Sequence, residues 1–166
     1  MPKGTGLVAA VGLLLTSTAA IVATHIAMSR PASAHEDHGN FSAGQPGDPK
    51  KPARVVNIKM FEGSGKMGYE PARLEVRRGE QIRFVLQNDG RMRHELVLGD
   101  QEALRRHAAL MQMMPDMQHT GPNMASLAPG ERGELIWRFT RTGTVSFACL
   151  QVGHLEAGMR GAVAVQ

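Results

Sequence analysis

From residue 54 onward, apolar and polar residues alternate in short runs, and a period of two marks strands with one buried face. Arg54-Val55-Val56-Asn57-Ile58-Lys59-Met60 reads this way, as do Leu74-Glu75-Val76 and Ile82-Arg83-Phe84-Val85-Leu86. The last two are joined through Arg78-Gly79-Glu80, whose Gly suits a tight hairpin turn. His94 to Leu98 makes a fourth run, and Glu134 to Phe139, Thr144 to Ala148 and Gly161 to Val165 follow. Seven short strands between glycine-bearing turns predict an all-β sandwich. One segment breaks the pattern: Asp100 to Met114 is rich in helix formers, with Asp100 placed to cap its start and Pro115 to stop it. The prediction is one helix inserted in the sandwich, then an irregular methionine-bearing loop to about Pro129.

The first 52 residues read differently. Lys3, the largely apolar run Leu7 to Ala27 and the small-x-small triplet Ala32-Ser33-Ala34 have the form of a secretory leader cut after Ala34. An uncleaved anchor is the competing reading, since the run nears spanning length. Thr16, Ser17, Thr18, Thr24 and His25 weaken it as a span, so stable membrane association after cleavage is not expected. No twin-arginine pair precedes the run, which points to the general export route and, in a bacterium, to the periplasm. Residues 35–52 are Gly, Pro, Asp, Ser and Lys with little to bury, and read as a flexible His-bearing arm. The division is therefore a leader over 1–34, an arm over 35–52 and one domain over 53–166.

Charge excludes one class of partner. The formal net charge of +4 includes Lys3 and Arg30, and the part after Ala34 keeps +2 with no Lys/Arg stripe, giving no case for nucleic acid. Cysteine usage is more telling. Small exported domains usually staple themselves with paired cysteines, yet Cys149 stands alone here. A lone thiol in an oxidising compartment is a hazard unless it is buried and inert or something occupies it.

A metal ion is the occupant that its neighbours suggest. Cys149, His154 and Met159 form a C-x4-H-x4-M pattern, which places a thiolate, an imidazole and a thioether on one loop between two predicted strands. His94, at the start of another strand, completes a His2Cys set with a weak axial Met, the donor set of a type 1 copper site. Such a set tolerates both Cu(I) and Cu(II). Zinc could use the thiolate and imidazoles, but the thioether favours copper. Met92, Leu150, Val152 and Leu155 are candidates for an apolar shell that keeps water off the sulfur.

At these residues the chain resembles the cupredoxins, the plastocyanin/azurin superfamily, over roughly residues 54 to 166. The resemblance implies a Greek-key β-sandwich or barrel with His94, Cys149, His154 and Met159 as copper ligands. The chain departs from many blue-copper carriers in having Glu95 after the first His and Leu150 after the Cys, where Asn and Ser or Thr are common. The His-bearing arm, Met67-Gly68-Tyr69-Glu70-Pro71, Met92-Arg93-His94-Glu95 and the methionine-rich insert are similar to exported copper-tolerance cupredoxins of the CopI kind. That narrower resemblance implies handling of excess copper in the periplasm.

Further soft donors lie outside the main set. His107, Met111, Met114, Met117, His119 and Met124 crowd the helix and the segment after it, and thioethers suit Cu(I). Met111 with Met114, and His107 with Met111, have the spacing of one helix face, but that is equally the spacing of a packing face. After cleavage, the amine and imidazole of His35, with His38 nearby, could chelate Cu(II), or the arm is simply solvated. Two functions follow. One is copper tolerance by binding, buffering or oxidising copper, which these surplus donors favour. The other is soluble electron transfer with a redox partner protein through an apolar patch near His154. A single domain with one cysteine does not evidently build the extra catalytic centre of a copper oxidase, so enzymatic turnover is not the leading expectation.

Overall fold

A two-faced sheet hides its apolar side only against another layer, and here two sheets do this for each other. The computed structural model describes residues 41–63, 65–114 and 120–166. Its elements, in chain order, are β1 (Gln45–Pro46), β2 (Arg54–Gly63), β3 (Lys66–Glu70), β4 (Arg73–Val76), β5 (Gln81–Asn88), β6 (His94–Gly99), α1 (Gln101–Met113), β7 (Met124–Leu127), β8 (Arg132–Arg138), β9 (Gly143–Ala148) and β10 (Arg160–Val165). One sheet has the order β1-β8-β5-β2-β3 and the other β4-β10-β9-β6-β7. The pairs β2/β5 and β4/β10 are parallel, and the remaining neighbours are antiparallel. The expected β-sandwich with one helix is what forms.

Alternation becomes packing between the layers. Val56, Ile58 and Met60 of β2, Ile82, Phe84 and Leu86 of β5, and Leu135 and Trp137 of β8 face Leu96, Leu98, Val145, Phe147, Val163 and Val165 of the other sheet. Each such large side chain, fully buried, contributes about 1.5–3 kcal/mol. Strand β6 is buried along its whole length because it is covered twice. Leu96 and Leu98 join the central core, while Val97 packs with Leu104 and Met111 of α1 and with Ala148 and Leu150. The helix starts where the sequence places it: Asp100 Oδ1 accepts the Ala103 N–H at 2.7 Å, and Oδ2 accepts from Ser42 Oγ at 2.6 Å.

Three expectations need correction. The glycine turn at Gly79, with φ of +86°, does not close a hairpin, since β4 and β5 lie in different sheets. It carries the chain between layers, pinned by Arg78 N–H to Gln166 O at 2.7 Å and Gly79 N–H to Phe139 O at 2.6 Å. The segment after the helix is not irregular to Pro129, because β7 pairs with β6. The described part of the expected arm is also packed. Phe41 meets Trp137 edge-on with ring centroids 5.4 Å apart, Trp137 Nε1 donates to Ala43 O at 3.0 Å, and β1 pairs with β8. Residues 35–40 and the leader lie outside the described residues. Among the described residues, no helix is long and apolar enough to cross a membrane.

Candidate metal centre

The sheet register brings the candidate donors to one end of the sandwich. Val97 pairs with Ala148 across β6 and β9, and Arg160 pairs with Ala148 across β10 and β9. His94, three residues before Val97, therefore lies beside the segment that leaves β9 at Cys149 and re-enters the sheet after Met159. That segment is tied by its own backbone: Cys149 N–H donates to Met159 O at 3.1 Å, and Met159 N–H to His154 O at 3.0 Å. His154 N–H donates in turn to Gln151 O at 3.0 Å. Met67 N–H of β3 donates to Ala157 O at 3.4 Å, which anchors the loop to the opposite sheet. Cys149 and Met159 belong to the central apolar cluster, so the site is rooted in the core.

Three donor atoms converge there. His94 Nδ1 and His154 Nδ1 are 3.2 Å apart, and Cys149 Sγ is 3.3 Å from His154 Nδ1. One atom from each of the three residues falls within 4.8 Å of the others, and all three residues are buried. Among the described residues, this is the one group of three His, Cys, Asp or Glu side chains close enough to share an ion. Met159 is also fully buried. The donor set fits copper, since a thiol sulfur and two imidazole nitrogens meet at one point.

Burial disfavours charge on the candidate donors. It pushes the Cys149 thiol up to about 12, against N–H groups of Gln151 and Glu95 that favour the thiolate. Burial also lowers His94, opposed by the carboxylate of Glu62, and lowers His154, with His94 adding to the effect. Both shifts favour the neutral imidazole, the form that can donate a lone pair. The carboxyl of Glu62 lies below its usual range: burial raises it, but N–H groups of Met92 and Arg91 and the nearby His94 outweigh that.

Sequence reasoning left the role of Glu95 open, and the structure makes it central. Its N–H donates to Cys149 Sγ at 3.3 Å, and its carbonyl accepts from the Tyr69 hydroxyl. Its Oε1 accepts from Gln151 Nε2 at 2.7 Å and Ser126 Oγ at 3.4 Å, while the buried Oε2 has no partner among the described residues. Glu62 was missed altogether, although its Oε1 lies 3.1 Å from His94 Nε2.

The other expected donors scatter. Met111 is buried and Met124 half-buried in the small cluster beneath α1, where they pack against apolar side chains. Met114 caps the helix and is exposed, and His107 is half-buried on α1. Met117, His119, His35 and His38 lie outside the described residues. The expected apolar shell also differs: Leu150 is buried and Leu155 half-buried, whereas Met92 and Val152 are exposed.

Comparison with known proteins agrees with this geometry. A family model described as copper binding proteins, plastocyanin/azurin family, matches residues 56–166. A copper-resistant cuproprotein CopI from Rubrivivax gelatinosus is 45% identical over 156 residues, covering 94% of this chain and 93% of its own. A copper-resistant cuproprotein CopI from Pseudomonas aeruginosa is 29% identical over 177 residues, covering 89% of this chain and 95% of its own. Among solved structures, auracyanin B matches with a TM-score of 0.60 at 23% identity, covering 75% of this chain and 96% of that one. This last likeness is one of fold.

Proposed function

The chain belongs to the plastocyanin/azurin family of copper-binding proteins, with CopI cuproproteins among its relatives, and on that premise we propose that it binds excess copper in copper resistance. His94, Cys149 and His154 would hold the ion, with Met159 as the thioether donor. The observation that carries this reading is the buried convergence of three donor atoms within 4.8 Å. When bound, copper would supply a one-electron couple in a site whose donors are held by the ends of β6, β9 and β10 and by the backbone-tied loop that carries His154. The protein contributes the remaining chemistry. The apolar surroundings restrict water, the neutral imidazoles donate lone pairs, and the Glu95 and Gln151 N–H groups stabilise the thiolate once its proton has left.

The compartment is the periplasm, which the apolar leader and the triplet ending at Ala34 support. The arm and the methionine-rich segment add copper capacity through His35, His38, Met114, Met117 and His119. Electron transfer with a redox partner is the second reading. It calls for an apolar patch near His154, and burial of Leu150 leaves Val152 as its main exposed member on the loop. A bacterial strain lacking this protein tests the proposal under copper challenge. The wild-type gene restores survival and the Cys149→Ala gene does not; equal survival with both would overturn it.

A further inference from the structure

Glu62 stands near the end of β2, in the sheet opposite the one that carries His94. Its Oε1 accepts the N–H of Arg91 at 2.8 Å and of Met92 at 2.7 Å, and lies 3.1 Å from His94 Nε2. The turn that allows this is itself held. Buried Asn88 accepts the Gly90 N–H at 2.9 Å and donates to Met92 O at 2.8 Å and Leu127 O at 3.0 Å. Gly90 has no side chain for a steric reason: a Cβ there would sit 2.6 Å from Glu62 Oε1 and 2.7 Å from His94 Nε2. The carboxylate is therefore built into the turn rather than laid on its surface. It occupies the side of the ring remote from Nδ1, the atom that faces His154.

A carboxylate on the remote nitrogen of a ligand imidazole fixes its tautomer and makes the other nitrogen a stronger donor. It also brings a negative charge toward the metal, which stabilises Cu(II) more than Cu(I). We propose that Glu62 is a positioning residue that holds His94 with its proton on Nε2 and biases the copper site toward Cu(II). This rests on the metal-centre reading given above. Glu62 thereby works against the apolar surroundings and the thioether, both of which favour Cu(I), and lowers the reduction potential.

Glu62→Gln isolates the charge, because the amide oxygen can still accept the three hydrogen bonds. Glu62→Leu removes both charge and acceptor, and Glu102→Gln on the exposed face of α1 controls for net charge. Cu(I) and Cu(II) affinities by competition, the reduction potential, and ring ¹⁵N spectra of the copper-free protein are the readouts. Glu62→Gln is expected to keep one copper and its visible band while the ratio of Cu(II) to Cu(I) affinity falls about tenfold, a rise of about 59 mV for one electron. Glu62→Leu is expected to lose the fixed His94 tautomer without metal and to weaken Cu(II) binding by about 10- to 100-fold. Should Glu62→Leu not fold, Glu62→Gln decides. A potential matching wild type and Glu102→Gln, or a copper-free His94 with its proton on Nδ1, overturns the inference alone. A wild-type protein with no thiolate-to-copper band overturns the metal-centre reading, and the inference with it.

Discussion

Cys149 is buried, its thiol is pushed up to about 12 by that burial, and its sulfur lies 3.3 Å from His154 Nδ1. Cys149→Ala should therefore abolish the intense thiolate-to-copper visible band, and a band that survives unchanged refutes the assignment. On the proposed ligand set, Met159→Leu should keep copper bound while shifting the potential and the spectrum. Gly90→Ala should displace Glu62 from His94, weakening Cu(II) binding by about 10- to 100-fold. Overpacking in the same variant should cost about 1–3 kcal/mol in denaturant unfolding. Cys149 and His154, which the structure brings together with His94, stood out in the sequence because one loop carries them at regular spacing with Met159. His94 was legible because it opens an apolar run. Glu62 was not, since its partner lies 32 residues away on the other sheet, and an acid near a strand end reads as ordinary solvated surface.

Helix α1 was legible in both position and cap, since Asp100 precedes a run of strong helix formers. Asp100→Ala should cost about 1 kcal/mol of unfolding free energy. The N–H of Ala103 and the hydroxyl of Ser42 hold the Asp100 carboxyl below its usual range. Its contribution is thus complete above the ordinary carboxylate range and is lost as pH falls through the lowered folded value. Denaturation of wild type and Asp100→Ala should accordingly converge in acid and differ at neutral pH. The strands with clean alternation were also legible. β3 was missed because Gly68 interrupts an already short run, and β7 because Met124-Ala125-Ser126-Leu127 has neither apolar–polar alternation nor a β-branched or aromatic residue. The false hairpin at Gly79 has a different cause. Turn chemistry is local, but β4 finds its partner in β10 and β5 finds its partner in β2, pairings that no local pattern encodes. Phe41 was the available signal for the packed segment before β2, as the one aromatic in 35–52.

At the scale of the whole molecule, the two sheets and the loop after β9 bring His94, Cys149 and His154 together. His94 opens β6, the candidate donors Cys149 and Met159 adjoin β9 and β10, and His154 lies on the loop between them, while Cys149 and Met159 extend the same core that stabilises the sandwich. Binding to a preformed site stabilises the native state by mass action, so copper should raise the unfolding temperature of wild type and leave Cys149→Ala nearly unchanged. The most direct test of the central claim is a copper titration of the exported form, following visible absorption and bound metal per chain under oxidising and reducing conditions. One copper should enter with an intense thiolate-to-copper band. Additional uptake without that band would bring the arm and methionine-rich segment into copper handling, and its absence would favour electron transfer. Copper bound with no such band, or with the band intact after Cys149→Ala, would contradict a centre built on His94, Cys149 and His154.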